Sequence, residues 1–139
     1  IYILTTALPQ DKPADDGDIF LLRSFDAGIT WEEPLRINTD ATSRLQFFPS
    51  IDVDPAGVVH AMWGDMRDDP REVRYHIYYS KSEDQGATWG FSLPDQSFTA
   101  PDTRVSDFAS NPYRGTAGGT FIGDYFALAA TDGEVYLVW

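Results

Sequence analysis

The residues best equipped for chemistry in this 139-residue chain are arginines set in polar, turn-rich stretches. Seven of its ten Lys and Arg residues (Lys12, Arg44, Arg67, Arg71, Arg74, Arg104 and Arg114) fall within four such stretches, 7–18, 38–48, 64–74 and 94–124. A guanidinium is a planar fork that grips a carboxylate through two parallel hydrogen bonds, so clustered arginines suit recognition of an acidic group. Arg44, Arg67, Arg104 and Arg114 are the candidate ligand-binding residues. The same residue types also pair internally. In Trp63-Gly64-Asp65-Met66-Arg67, Asp65 and Arg67 alternate at an extended strand end, where a structural ion pair competes with ligand contact and is the favoured reading.

Two acidic clusters, Asp11, Asp15, Asp16, Asp18 and Asp65, Asp68, Asp69, bring calcium into consideration. Calcium takes six to eight oxygens, and closely spaced aspartates supply several of them. Neither cluster has the EF-hand pattern, so solvated loop charge is the preferred account and no metal is assigned; Asp15, Asp16, Asp18, Asp65, Asp68 and Asp69 stand as the candidate calcium ligands. Asp52 and Asp54 belong to a strand and its turn. His60 and His76 lack a neighbouring Cys or His partner for zinc and read as residues on strand faces.

Composition narrows the choice of scaffold and partner. A hydrophobic share of 42%, with nine prolines and eleven glycines between short apolar runs, describes a globular all-β chain with frequent turns. The net charge of −12 argues against nucleic acid, whose phosphates demand clustered Lys and Arg. With no cysteine there is no disulfide framework, and no run is apolar and long enough for a membrane span.

The scaffold is marked by one eight-residue pattern that occurs twice. Ser24-Phe25-Asp26-Ala27-Gly28-Ile29-Thr30-Trp31 and Ser82-Glu83-Asp84-Gln85-Gly86-Ala87-Thr88-Trp89 both read S-x-D-x-G-x-T-W, 58 residues apart from Ser24 to Ser82. Asp and Ser side chains bond to nearby backbone amides, Gly supplies a positive φ, and Thr-Trp restarts a strand. A repeat of this length is the signature of a modular array or propeller.

The pattern resembles the Asp-box, or BNR repeat, of sialidase-like β-propellers, and both copies match it at every defining position, Ser24, Asp26, Gly28, Thr30 and Trp31 and again Ser82, Asp84, Gly86, Thr88 and Trp89. The resemblance implies an all-β propeller segment of four-stranded antiparallel blades, each box joining the third and fourth strands on the face away from the ligand site. In that register residues 1–37 are strands two to four of one blade, 49–93 a complete blade, 94–124 a long inter-blade loop, and 125–139 the first two strands of a third. The ungapped match of 54–63 to 130–139 supports this division. Within the complete blade the strands are expected at 49–53, 58–63, 75–80 and 89–93, and in the first blade at 1–6, 19–23 and 31–37. Parts of three blades cannot close a ring, so the rest of the propeller is expected in the same polypeptide or in neighbouring chains.

The four loops that carry these basic residues then share the ligand face. Sialidases hold a sugar carboxylate with three arginines and use a tyrosine nucleophile, an assisting glutamate and an aspartate as acid/base. Carried over, this makes Arg44, Arg67 and Arg104 or Arg114 the carboxylate-binding candidates, and Tyr113, Tyr125 and Asp65 the catalytic ones. No catalytic motif matches: the Arg-Ile-Pro signature does not occur, and neither Glu72 nor Glu134 has the context of an assisting glutamate. The leading expectation is a module for extracellular or cell-surface recognition of a carbohydrate or protein ligand within a larger protein. A sialidase-like exo-glycosidase acting on terminal sialic acid and a structural scaffold of a surface assembly are the alternatives. A recognition module calls for exposed aromatic platforms on the loops, and a hydrolase for three converging arginines.

Overall fold

The computed structural model describes residues 1–11, 14–92, 99–114 and 123–139. They form an all-β protein. Its strands are β1 (Tyr2–Ala7), β2 (Asp18–Arg23), β3 (Leu35–Arg36), β4 (Gln46–Val53), β5 (Val59–Asp65), β6 (His76–Ser82), β7 (Phe91–Ser92), β8 (Thr99–Ala100), β9 (Thr103–Arg104), β10 (Ala127–Ala130) and β11 (Val135–Val138), with one 3-10 turn at Pro112–Arg114. They assemble into a three-stranded sheet β1-β2-β3, a four-stranded sheet β4-β5-β6-β9 and the pairs β7-β8 and β10-β11. Every pairing is antiparallel. Among the described residues no helix is long and apolar enough to cross a membrane.

The four-stranded sheet is central because it is buried on both faces. All seven residues of β5 are buried, as in a strand packed between two layers. Alternation sends Ala61 and Trp63, with Tyr78 of β6, against Ile19, Leu21 and Ile37 of the first sheet. Met62 and Ile77 point the other way and pack with Tyr75 and Phe126, flanked by Phe47, Phe48, Leu128 and Leu137. The layers come unusually close at Gly64, where a Cβ would stand 2.8 Å from Phe47 Cζ and 3.0 Å from Phe126 Cε2. Ser50 and Asp52 fasten the β10-β11 hairpin by accepting the amides of Leu128 and Ala130.

Several strands depart from the expected ranges for local reasons. β3 is only Leu35–Arg36 instead of 31–37, because Pro34 offers no N–H to the ladder and residues 31–34 are exposed. β4 begins at Gln46 but shifts register between Phe47 and Ser50, where Phe48 has φ 49° and Pro49 again lacks a donor. The largest departure is in the outer strand of the central sheet. Of the expected strand 89–93, whose last residue lies outside the described ones, positions 89–92 contribute the short β7, which pairs with β8, while β9 lies against β6 with Tyr78 opposite Arg104 and Tyr79 opposite Thr103. Val105 donates to Ile77 O and Tyr75 bridges Ser110, extending this edge. The described part of 94–124 thus carries β8, β9 and the 3-10 turn in place of an unstructured connection.

Both S-x-D-x-G-x-T-W segments fold into the same clamp. In the first, Asp26 Oδ1 accepts from the Thr30 amide at 2.8 Å and Oδ2 from the Thr30 hydroxyl at 2.5 Å. Ser24 Oγ donates to Asp26 at 2.9 Å and accepts from the Gly28 amide at 2.8 Å, and Trp31 Nε1 closes the turn on Gly28 O. In the second, Asp84 accepts from the Thr88 amide at 2.8 Å and hydroxyl at 2.6 Å, with Ser82, Gly86 and Trp89 in the matching roles. Even the backbone repeats: Ala27 and Gln85 both have φ 61°, followed by Gly28 at 90° and Gly86 at 83°. A strained pair of left-handed residues is held by one carboxylate and one serine hydroxyl.

The clamp is electrostatic, which gives it a pH signature. The hydroxyl of Thr30, then its amide, hold the Asp26 carboxyl at about 2, and Thr88 does the same for Asp84. A carboxyl lowered in the folded state stabilises the fold above its ordinary value of 3.8, and that contribution is lost as pH falls through about 2. The double variant Asp26→Asn, Asp84→Asn should therefore be less stable than wild type at neutral pH and lose less on acidification below about pH 4. Urea midpoints measured against pH check this, and parallel curves for the two proteins would contradict it.

The two clamps differ in what they touch: a Cβ on Gly28 would meet only Ile1 Cδ1 at 3.5 Å and Trp31 Cζ2 at 3.8 Å. A Cβ on Gly86 would meet Leu21 Cδ2 at 2.8 Å and Arg23 Cδ at 3.1 Å, so the second turn lies directly on the first sheet. Gly57, also left-handed at 88°, has nothing within 4 Å. Gly57→Ala should cost only the backbone strain, roughly 1–2 kcal/mol. Gly86→Ala should cost about 1–3 kcal/mol more through overpacking. Equal losses in thermal or chemical denaturation would show that the contact does not matter.

Candidate functional site

The clamps fix which end of the sheets carries the long connections. The second clamp leaves β6 at Ser82, opposite Val59, beside the short turn between β4 and β5. At the other end Asp65 stands opposite both Gln46 and His76, and Ala7 opposite Asp18. The connections that follow Ala7, Arg36 and Asp65 therefore meet at the end away from the clamps, and the candidate residues sit there.

At its centre is Arg67. Its Nε and Nη2 donate to Asp65 Oδ2 at 2.9 and 2.7 Å, and its Nη1 and Nη2 form a fork on Asp102 at 3.1 and 3.2 Å. Asp40 lies 3.7 Å away, and the guanidinium stacks over the Tyr78 ring at 4.0 Å. Asp65, fully buried, also accepts from Trp63 Nε1, from the Arg67 amide and from Gln46 Nε2. Beside it Asn38 is the second hub. Its Oδ1 accepts from the Ile19 amide, and its Nδ2 donates to Asp18, Asp40 and Gln46 at 2.6–3.0 Å. Asp18 pairs further with Arg36 at 2.9 Å, and Asp102 accepts from Thr39. The network ties the first sheet to the central one.

These groups hold their charges. Burial pushes the Asp65 carboxyl up, against the opposing pull of Arg67. Burial also disfavours the Arg67 cation, but its bonds to Asp65 and then Asp102 outweigh this and raise its pKa beyond the usual arginine range. Asp40 is likewise kept below the usual carboxylate range despite burial, by the Thr42 hydroxyl, Asn38 and Arg67. Asp65 and Arg67 form an ionised pair whose lone pairs and protons are nearly all spoken for, which is the condition for tolerating buried charge.

Three further cations, Arg44, Arg71 and Arg104, are also turned toward carboxylates of their own chain. Arg44 Nε lies 3.8 Å from Glu72, which adopts a left-handed φ of 53°. Arg104 lies 3.4 Å from Asp68, which also accepts the Tyr78 hydroxyl, and Arg71 is 3.8 Å from Asp69. Arg74, together with Asp68, Asp69, Arg71 and His76, lines a small hollow of about 220 Å³. Arg114 is exposed in the 3-10 turn, and Lys12 lies outside the described residues. Asp65 is too enclosed to serve as an acid toward a solvent-borne substrate. Tyr113, Tyr125 and Phe108 are 60%, 79% and 79% exposed.

The acidic clusters disperse in the fold. Asp15 is buried and accepts the Gly17 amide, Asp16 is exposed, and Asp18 faces Asn38 and Arg36. Asp68 turns to Tyr78 and Arg104, whereas Asp69 caps the amides of Arg71 and Arg74. Among the described residues no group of three or more His, Cys, Asp or Glu side chains is arranged to hold a metal ion. Sequence reading did not anticipate Asn38, Gln46, Asp40 or Asp102 in the network, nor Ser106. The Ser106 hydroxyl accepts the Ile77 amide at 3.0 Å and sits 2.9 Å from His76 Nδ1, stitching the β9 extension to β6.

Comparison of the chain with protein-family models, with curated proteins and with solved structures found no match in any of the three.

The geometry makes Arg67 a structural keystone. Arg67→Ala would strand Asp65 and Asp102 without a counter-charge and should destabilise the protein by about 3–5 kcal/mol. Arg104→Ala, at an exposed pair, should cost about 0–1 kcal/mol. Denaturant midpoints of the two variants check the contrast, and a small loss at Arg67 would contradict it.

Proposed function

We propose that this chain is a segment of a sialidase-like β-propeller of the BNR/Asp-box family that serves as a recognition module for a glycan or protein ligand, outside the cell or on its surface. The observation that carries the reading is the duplicated clamp. Two eight-residue segments with the same residues at five positions make the same hydrogen bonds and carry the same left-handed backbone pair, each at the exit of an inner strand of its own sheet. Three layers stacked through shared apolar faces are what consecutive blades would present.

Within that family likeness, recognition is better supported than hydrolysis. A hydrolase of this type needs arginines free to meet a substrate carboxylate. Here Arg67 is held by Asp65 and Asp102, Arg104 faces Asp68, and Arg44 faces Glu72. What the same end offers to solvent is aromatic: Phe108 and Tyr113, with Arg114 beside them. Rigid exposed rings suit the apolar faces of sugars and the anchor positions of protein interfaces.

The test is binding of the labelled chain to an array of sialylated and neutral glycans, alongside the double variant Phe108→Ala, Tyr113→Ala. Loss of two exposed anchors should weaken binding by about tenfold or more. Stability should stay within about 0.5 kcal/mol of wild type. Binding unaffected by the double substitution, or release of sialic acid from a fluorogenic sialoside, would contradict the proposal.

A further inference from the structure

The clamp end of the protein carries a site of different chemistry. The β4-β5 turn, β6, β7 and the β10-β11 turn enclose an open cleft of about 440 Å³. That is within the size range of small-ligand and side-chain pockets. Val58, Val135 and Phe91 supply apolar lining, and Asp54 and Glu134 supply carboxylates.

Asp54 is held firmly in its charged form. Its Oδ1 accepts from the Val58 amide at 2.9 Å, and its Oδ2 lies 3.3 Å from His60 Nε2. His60 Nδ1 is 2.7 Å from the Tyr79 hydroxyl. Burial, followed by the charge of Asp54, pushes the Tyr79 hydroxyl up to about 12, so it keeps its proton. The ring thus links the Tyr79 hydroxyl, through Nδ1, to Asp54, through Nε2. This buried chain orients the carboxylate. Among the described residues Lys81 is the one ammonium lining the cleft, and it is tied to Glu83 at 2.6 Å. The Glu134 side chain stands exposed at the rim, where its carboxylate accepts the Tyr136 hydroxyl. The carboxylates here, Asp54 and Glu134 with Glu83 beside Lys81, outnumber the cations Lys81 and His60, so the cleft is acidic on balance above its apolar and aromatic walls, in a protein of net charge −12.

We propose that this cleft receives a basic side chain, lysine or arginine, of a partner protein. The methylene stem would lie along Val58 and Val135, the charged head would face Asp54 and Glu134, and Phe91 would offer its ring face to the cation. Long-range attraction by the acidic surface would favour the encounter. The site is at the opposite end from the aromatic loop surface and uses none of its residues, so it stands or falls apart from the recognition reading above.

The experiment is a ¹H–¹⁵N NMR titration of the chain with Nα-acetyl-lysine methylamide and Nα-acetyl-arginine methylamide, against the uncharged Nα-acetyl-norleucine methylamide. The cationic probes should shift the amides of Val58 and of Thr131 to Val135 saturably, and norleucine should not. Glu134→Gln should weaken cation binding roughly two- to fivefold, as loss of one exposed charge pair implies, and Lys81→Gln should tighten it. Equal response to norleucine, absence of saturable shifts at the cleft, or loss of cation binding in Lys81→Gln would each overturn the proposal.

Discussion

Everything in this fold is arranged around one short-range interaction, a carboxylate that accepts the amide and the hydroxyl of the threonine four residues on. In water a turn with two successive left-handed residues, one of them not glycine, would be a minor conformer. Asp26 and Asp84 change that by converging several hydrogen-bond donors on one charged group, with Ser24 and Ser82 satisfying the glycine amides. Once these reversals are fixed, antiparallel pairing fixes the rest of the layout. Short turns fall at the clamp end and long connections at the other.

That division explains why the polar residues of the far end are buried instead of merely exposed. Connections leaving three strands converge over the top of the core, and their backbone and side-chain groups must find partners there. Asn38 and Arg67 meet the requirement by acting as many-donor hubs, Asn38 toward Asp18, Asp40 and Gln46, and Arg67 toward Asp65 and Asp102. An apolar pair could fill the same space. The ionic network instead specifies the register of the first sheet on the central one, because each donor has a single satisfactory position. Chemistry that looked like ligand capture in the sequence is largely used by the protein on itself.

What the sequence disclosed and what it hid divide along the same line. The clamps were legible because all their partners lie within eight residues, and the alternating and fully apolar runs of β2, β5 and β6 made an all-β chain readable. The Asp65–Arg67 pair was legible too, two positions apart on one strand end. Asp40 and Asp102 were not, since they reach Arg67 from 27 and 35 residues away and leave no local pattern. β9 was hidden for a related reason: Thr103–Arg104 is too short to show periodicity, and only its place along Tyr78 and Tyr79 makes it a strand. The abbreviated β3 shows local chemistry acting against the repeat, with Pro34 withholding a donor where the pattern asked for a ladder.

The account depends on Asp26 and Asp84 acting as ionised, multiply hydrogen-bonded clamps in solution. Carbon-13 NMR titration of their carboxyl carbons tests this directly, residue by residue. Both should titrate at about 2. A midpoint near the ordinary 3.8 for either residue would mean that its clamp is not formed, and the repeated turn would lose its claim to organise the fold.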